Sequence, residues 1–296
     1  MSGTCHVVDH EWVQIEVSSL NKRDVLPFHL YEEPDETSRR LQRAGTPVDD
    51  AEILLKLSNE GYFQRKMLGA YARSLDLRYV ESNESEEWRA RHLVEAGRVA
   101  LLALLDEPTA PHRQLATTRW ARRVALTVHN AYPSMLLKSW PHTARGSSGS
   151  ALRVALAMAC VGQSNSWSLK SLRDQIWASL IHGLGDALVD EETLGGVEAV
   201  IALISTISPI PEGVYNALRC YRERMDGSGP LGIRQGDIPI EAQYLGAIYW
   251  LESRGLFQSC RSHWSDQLDE LRSHMTSAFR RDVVTNVCRG LQGTHQ

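Results

Sequence analysis

Residues 220–239 read Cys-Tyr-Arg-Glu-Arg-Met-Asp-Gly-Ser-Gly-Pro-Leu-Gly-Ile-Arg-Gln-Gly-Asp-Ile-Pro. Taken on its own physics, the stretch is a glycine-rich connection between two helices. Gly227 and Gly229 permit backbone angles that other residues resist, and Pro239 stands where a following helix opens. Arg222, Arg224 and Arg234 are its cationic groups. A guanidinium can engage a phosphate in two-pronged fashion, and Arg224 can equally pair with Glu223 or Asp226. Both uses stay open at this level.

Working outward, the periodicity is helical from about residue 85 almost to the end. Leu93, Gly97, Leu101 and Leu104 share one helical face, as do Leu169, Leu172, Ile176 and Leu180. Ile240, Tyr244, Ile248 and Leu251 form another, and Leu268, Leu271, Met275 and Phe279 lead to Val283, Val284 and Val287. Upstream, residues 12–48 look β-rich, with Val13, Ile15 and Val17 alternating and Leu26–Tyr31 extended. Asp49 and Glu52 form a capping pattern before a helix carrying Ile53, Leu54 and Leu57, which Gly61 stops. Pro, Gly and Ser place loops at 106–112, 141–150, 208–213 and 226–239, with Arg145–Ser150 the most linker-like. The expected architecture is mainly α: a helical bundle over 85–296 behind a small α/β module over 1–84.

Bulk properties narrow the function classes. A chain of 296 residues with 43% hydrophobic and 23% charged content has a real core. Its net charge of −4 gives no support for a DNA or RNA surface. No apolar run approaches the roughly 18–20 residues of a membrane span, and no signal peptide is visible. Five scattered cysteines without CxxC spacing argue against a zinc site or a disulfide framework, so a cytoplasmic location is expected.

The opening stretch resembles the signature of the HD-GYP family, bacterial phosphodiesterases of cyclic di-GMP. Glu223, Arg224, Asp226, Gly227, Gly229, Pro230, Gly232, Gly236, Ile238 and Pro239 match in order after one deletion, a tyrosine between Gly229 and Pro230. Partial matches at 150–155, 178–185 and 238–248 follow the family's order, so the resemblance covers about 145–260. It implies an HD-type helical bundle. Phe279–Val284 is placed like the family's closing helix.

The same resemblance implies that the metal ligands are lost. The family's ligand positions fall on Ser150, His182, Gly183, Tyr221, Arg222 and Tyr249, and only His182 keeps a ligating side chain. A catalytic centre needs about three protein ligands and an open position. Arg222 would also set a fixed positive charge where a cation should sit. His182 among Leu180, Ile181 and Leu184 reads well as a hydrogen-bonded core histidine, with Asp186 a turn away as its partner. No cofactor and no metal are expected. The implied function is a non-catalytic signalling regulator or adaptor, in or beside cyclic di-GMP signalling. It would act through a protein partner, such as a GGDEF-type diguanylate cyclase, or by binding the nucleotide. The alternative is a metal-dependent hydrolase rebuilt around His182 with Asp186 and Asp190, and homodimer formation is left open.

Overall fold

The computed structural model describes residues 6–7, 11–16, 26–44, 48, 60–81, 86–130, 147–184, 210–258, 264–275 and 277–292. It is mainly helical, with a small antiparallel sheet at the N-terminal end. The strands are β1 (His6–Val7), β2 (Trp12–Glu16), β3 (Leu30–Tyr31), β4 (Arg40–Gln42) and β5 (Glu60–Gln64), in the order β1-β2-β5-β3-β4. β2 and β5 pair from Trp12 opposite Gln64 to Glu16 opposite Glu60. Val13 and Ile15 alternate into the core as their spacing predicts. Phe28 stacks on Phe63 at 4.0 Å between centroids, and Tyr71 meets Phe28 edge-on at 5.0 Å.

Helices follow as α1 (Leu68–Glu81), α2 (Glu86–Asp106), α3 (Pro111–Asn130), α4 (Ser147–Ser164) and α5 (Leu169–Ile181). After these come α6 (Glu212–Cys220), α7 (Ile240–Ser253), α8 (Trp264–His274) and α9 (Arg281–Gln292). Helical structure therefore begins before residue 85. Leu68, Tyr71, Ala72 and Leu75 repeat at helical spacing and bury α1 against the sheet. Gly61, expected to stop a helix, lies inside β5, where its bare Cα makes room for Leu30. The helix expected around 53–57 lies outside the described residues. Ser147–Ser150, expected as linker, form the first turn of α4 instead. Their small side chains do not forbid helix, and the turn leads directly into the most buried helix of the bundle.

That helix is the hub. Every residue from Ala151 to Val161 is buried, and α4 packs against α2, α3, α5, α7 and α9. A helix apolar on all sides belongs at the centre of a bundle. α2 serves two cores, giving Val99 and Ala103 to the sheet and Leu93, Leu101 and Leu104 to the bundle. The one charge along the buried run of α4 is Arg153. It donates to the Glu252 carboxylate of α7 from Nε at 3.0 Å and Nη2 at 2.5 Å, with both side chains 5% exposed or less. Removing one partner leaves a buried charge without its counter-ion, which costs about 3–5 kcal/mol. Arg153→Met is expected to lower stability by that amount in urea melts. Arg153→Met combined with Glu252→Leu is expected to recover part of the loss, and a double variant as unstable as the single one would show that the pair is not the source.

Candidate functional site

Residues 221–239 leave α6, loop outward and return to start α7. The fold of this loop is organised by Glu223, which is 1% exposed. Its carboxylate accepts the Leu231 amide on Oε1 and the Ile233 amide on Oε2, both at 2.8 Å. A carboxylate can take several donors at once, and bonds to a charged acceptor are the stronger kind. The far limb of the loop is thereby drawn onto the residue that begins the near limb. Gly229 lies where the two meet: a Cβ there would fall 2.5 Å from the Glu223 Cα and 2.7 Å from its Oε1. Gly227 is needed for a different reason, a φ of +81°. At the base, the Gln235 amide donates to the Met225 carbonyl at 3.1 Å.

The near limb is anchored to the end of the chain. The Met225 amide donates to the Ala278 carbonyl at 2.9 Å, and the Arg224 guanidinium carbon lies 4.7 Å from the Phe279 ring centroid. Arg224 Nη1 donates to the carbonyls of Tyr221 at 3.2 Å and Glu223 at 2.9 Å. It thus serves backbone carbonyls rather than a side-chain ion pair. Burial pulls its pKa below the usual arginine value, against the opposing pull of Glu223 and Asp226. Gln243 of α7 ties the same region together, accepting the Arg280 amide at 2.9 Å and donating to Ile238 O at 3.3 Å. What remains outermost is a tip carrying exposed Pro230, Leu231 and Arg234. Leu231 is 41% exposed.

Beneath the loop, three elements bring aromatic rings to one point. His182 caps the C-terminus of α5, Tyr221 caps that of α6, and Tyr249 comes from α7. The three rings meet edge to face: His182 to Tyr221 at 5.6 Å, His182 to Tyr249 at 5.4 Å, and Tyr221 to Tyr249 at 5.3 Å between centroids. Aromatic pairs favour this geometry, each worth about 0.5–1.5 kcal/mol beyond burial. Arg222 folds over the group, its guanidinium carbon 5.5 Å from the Tyr221 centroid and 5.9 Å from that of Tyr249. Its Nε donates to the Tyr221 hydroxyl at 3.1 Å. His182 is 1% exposed, and its Nδ1 lies 2.5 Å from the Ser179 carbonyl oxygen. A carbonyl only accepts, so Nδ1 carries a proton. Gly246, one turn before Tyr249, allows α7 to come against the Tyr221 carbonyl.

Four of the six positions singled out in the sequence therefore converge: His182, Tyr221, Arg222 and Tyr249. Gly183 is buried next to His182, and Ser150 is half-buried in the first turn of α4, outside the ring contacts. Asp186 and Asp190 lie outside the described residues. Among the described residues no group of three or more His, Cys, Asp or Glu could hold a metal ion. One imidazole, two phenols in ring contact and a guanidinium do not fit a pair of divalent cations. Sequence reasoning missed the roles of Leu231, Gln243 and the Arg153–Glu252 pair. An apolar residue inside a Gly- and Pro-rich loop was the available signal for Leu231. Nothing local marks the other two, whose partners lie far along the chain.

With its bundle, loop and small N-terminal sheet, the chain has an HD-GYP-like fold. The structure superposes on Bd1817, an HDG"Y"P protein from Bdellovibrio bacteriovorus, with a TM-score of 0.65 and 13% sequence identity, over 95% of this chain and 100% of that one. No family model matches the sequence, and no curated protein matches it.

The loop geometry sets a graded expectation. Glu223→Gln replaces one acceptor by a donor facing an amide and should destabilise by about 1.5–3 kcal/mol, the worth of a bond to a charged group. Gly229→Ala drives a methyl into backbone and should cost about 1–3 kcal/mol. Gly232, with φ of +66° and open space around its Cβ position, should cost about 1–2 kcal/mol as alanine, the left-handed penalty alone. Denaturant midpoints read all three, and a Gly229→Ala variant as stable as wild type would contradict the close approach. Asp226 adds a pH signature. Hydrogen bonding from Ser228, side chain first and amide second, holds its exposed carboxyl below the ordinary value. Its folded pKa lies below its unfolded one, so its contribution is complete above the ordinary aspartate pKa and is lost as pH falls through the lowered value. The Ser228 amide resonance should titrate below that ordinary pKa, and Asp226→Asn should abolish the step.

Proposed function

We propose that this protein is a non-catalytic signalling regulator or adaptor, in or beside cyclic di-GMP signalling, that works by presenting its 226–239 loop to a protein partner. The observation that carries the proposal is the pairing of two local facts. The ring cluster of His182, Tyr221 and Tyr249 under Arg222 stands at the positions where the HD-GYP resemblance places metal ligands. Directly above it, the loop keeps its shape through Glu223 and turns Leu231 and Arg234 outward. Metal-assisted phosphodiester hydrolysis needs ions that neutralise phosphoryl oxygens and acidify a bound water. A guanidinium stacked on two tyrosines offers charge without a coordination site.

A rigid loop with one apolar tip residue and nearby charge suits recognition. Leu231 supplies an anchor small enough for a shallow pocket, and Arg234 supplies charge that steers an acidic surface. We take the partner to be a protein of the GGDEF type. Binding of cyclic di-GMP itself is a weaker variant, for Arg224 is committed to carbonyls and Phe279 and Arg222 to the tyrosines, which leaves Arg234 as the exposed arginine of the 226–239 loop.

Purified protein incubated with Mn²⁺, Fe²⁺ or Mg²⁺ is expected to leave cyclic di-GMP intact in a chromatographic assay. Metal-dependent linear product that vanishes in His182→Ala would overturn the non-catalytic reading. Leu231→Glu, at an exposed position, is expected to leave the melting temperature within a degree or two, as exposed sites usually shift stability by under about 0.5 kcal/mol. The same change should reduce capture of a GGDEF-type cyclase, and undiminished capture would move the contact surface away from the loop.

A further inference from the structure

A slot opens where α1, α2 and α3 meet. It is narrow, about 80 Å³, and opens to solvent. Small residues create the space: Ala72 from α1, Ala96 and Ala100 from α2, and Ala116 from α3. Trp120 of α3 forms one wall and is held in place twice. Its indole Nε1 donates to the Leu93 carbonyl at 2.7 Å, and Gly97 gives it room, since a Cβ there would lie 2.6 Å from the indole.

Arg73, Arg119 and Arg123 line it together with His92 and His112, and among the described residues its lining contains no Asp or Glu. This departs from the rest of the molecule. The chain carries 36 acidic against 32 basic residues, yet Pro111–Asn130 has four arginines and no acid. Arg113 is drawn away to Asp106 and Glu107, whereas Arg73 and Arg119 are exposed at the mouth. Leu115, 46% exposed, completes an apolar lip.

We propose that this slot is a binding site for a small aromatic anion. The ring would lie against Trp120 and the alanine wall, where burial of apolar surface and ring-edge contact favour it. The carboxylate or phosphate would meet Arg73 and Arg119, whose guanidinium forks match planar and tetrahedral oxyanions. Exposed arginines at the mouth attract anions and disfavour cations of the same shape, so selectivity comes from charge and shape together. The elements involved are separate from those of the proposed regulatory loop, so the two readings stand or fall independently.

The test is an NMR titration of the full chain with 2-naphthoate and, in parallel, with neutral 2-naphthylmethanol. Saturable shifts of the Trp120 indole and of the Ala72, Ala96 and Ala116 methyls are expected with 2-naphthoate. The neutral analogue should bind about tenfold more weakly, the equivalent of one charge-assisted contact. The exposed double change Arg73→Ala with Arg119→Ala should weaken 2-naphthoate binding to a similar degree, and Ala96→Leu should fill the slot and remove the shifts. Equal binding of the neutral analogue, undiminished binding by the arginine double variant, or shifts centred elsewhere would each overturn the site.

Discussion

The carboxylate of Glu223 is the fixed point of the loop region. Buried and bonded to the amides of Leu231 and Ile233, it sets the distance between the two limbs of the 221–239 segment. Other features follow from that constraint. Gly229 must lack a side chain because the limb it belongs to is pulled onto Glu223 itself. Arg224 can then turn inward to carbonyls and the Phe279 ring, which ties the loop to the start of α9. A loop so held can display Leu231 to solvent without collapsing over it, since the cost of ordering has been met by bonds inside the fold.

Below the loop, aromatic packing joins the ends of two helices to a third. Tyr221 and Tyr249 each touch His182 and each other, so the ends of α5 and α6 and the middle of α7 are joined by ring contacts. Arg222 lies over both tyrosines, an arrangement favourable through the negative faces of the rings. Such a cluster stabilises through burial and ring geometry, whereas a metal centre stabilises only when ions are bound. In the proposed function the site has exchanged reactivity for permanent rigidity beneath the loop.

Much of this was legible in the sequence for a physical reason. The turn residues at 226–239 encode backbone geometry locally, and helical periodicity marks buried faces locally. The fold itself is shared at low sequence similarity, as the 13% identity to Bd1817 shows. Helix α1 was not anticipated because its repeat of Leu68, Tyr71, Ala72 and Leu75 starts only one short turn, Arg65–Met67, after a strand. Ser147–Ser150 resembled a linker by composition and became helix because Ala151–Val161 must be buried. At the candidate site, the convergence of His182, Tyr221, Arg222 and Tyr249 was implied by the family resemblance, which set all four at ligand positions. Their mutual geometry was not, because edge-to-face contacts between residues tens of positions apart leave no spacing signal. The same holds for Arg153 with Glu252 and for Gln243 with Arg280.

The most direct measurement is crystallographic. Crystals grown with excess Mn²⁺ and recorded at the manganese absorption edge would show whether the cluster accepts an ion. The expected result is the three rings in contact, Arg222 over the tyrosines, and no anomalous density beside His182. Anomalous density within coordination distance of the His182 imidazole, with Arg222 displaced, would contradict the proposal that rings and guanidinium have replaced the metal centre.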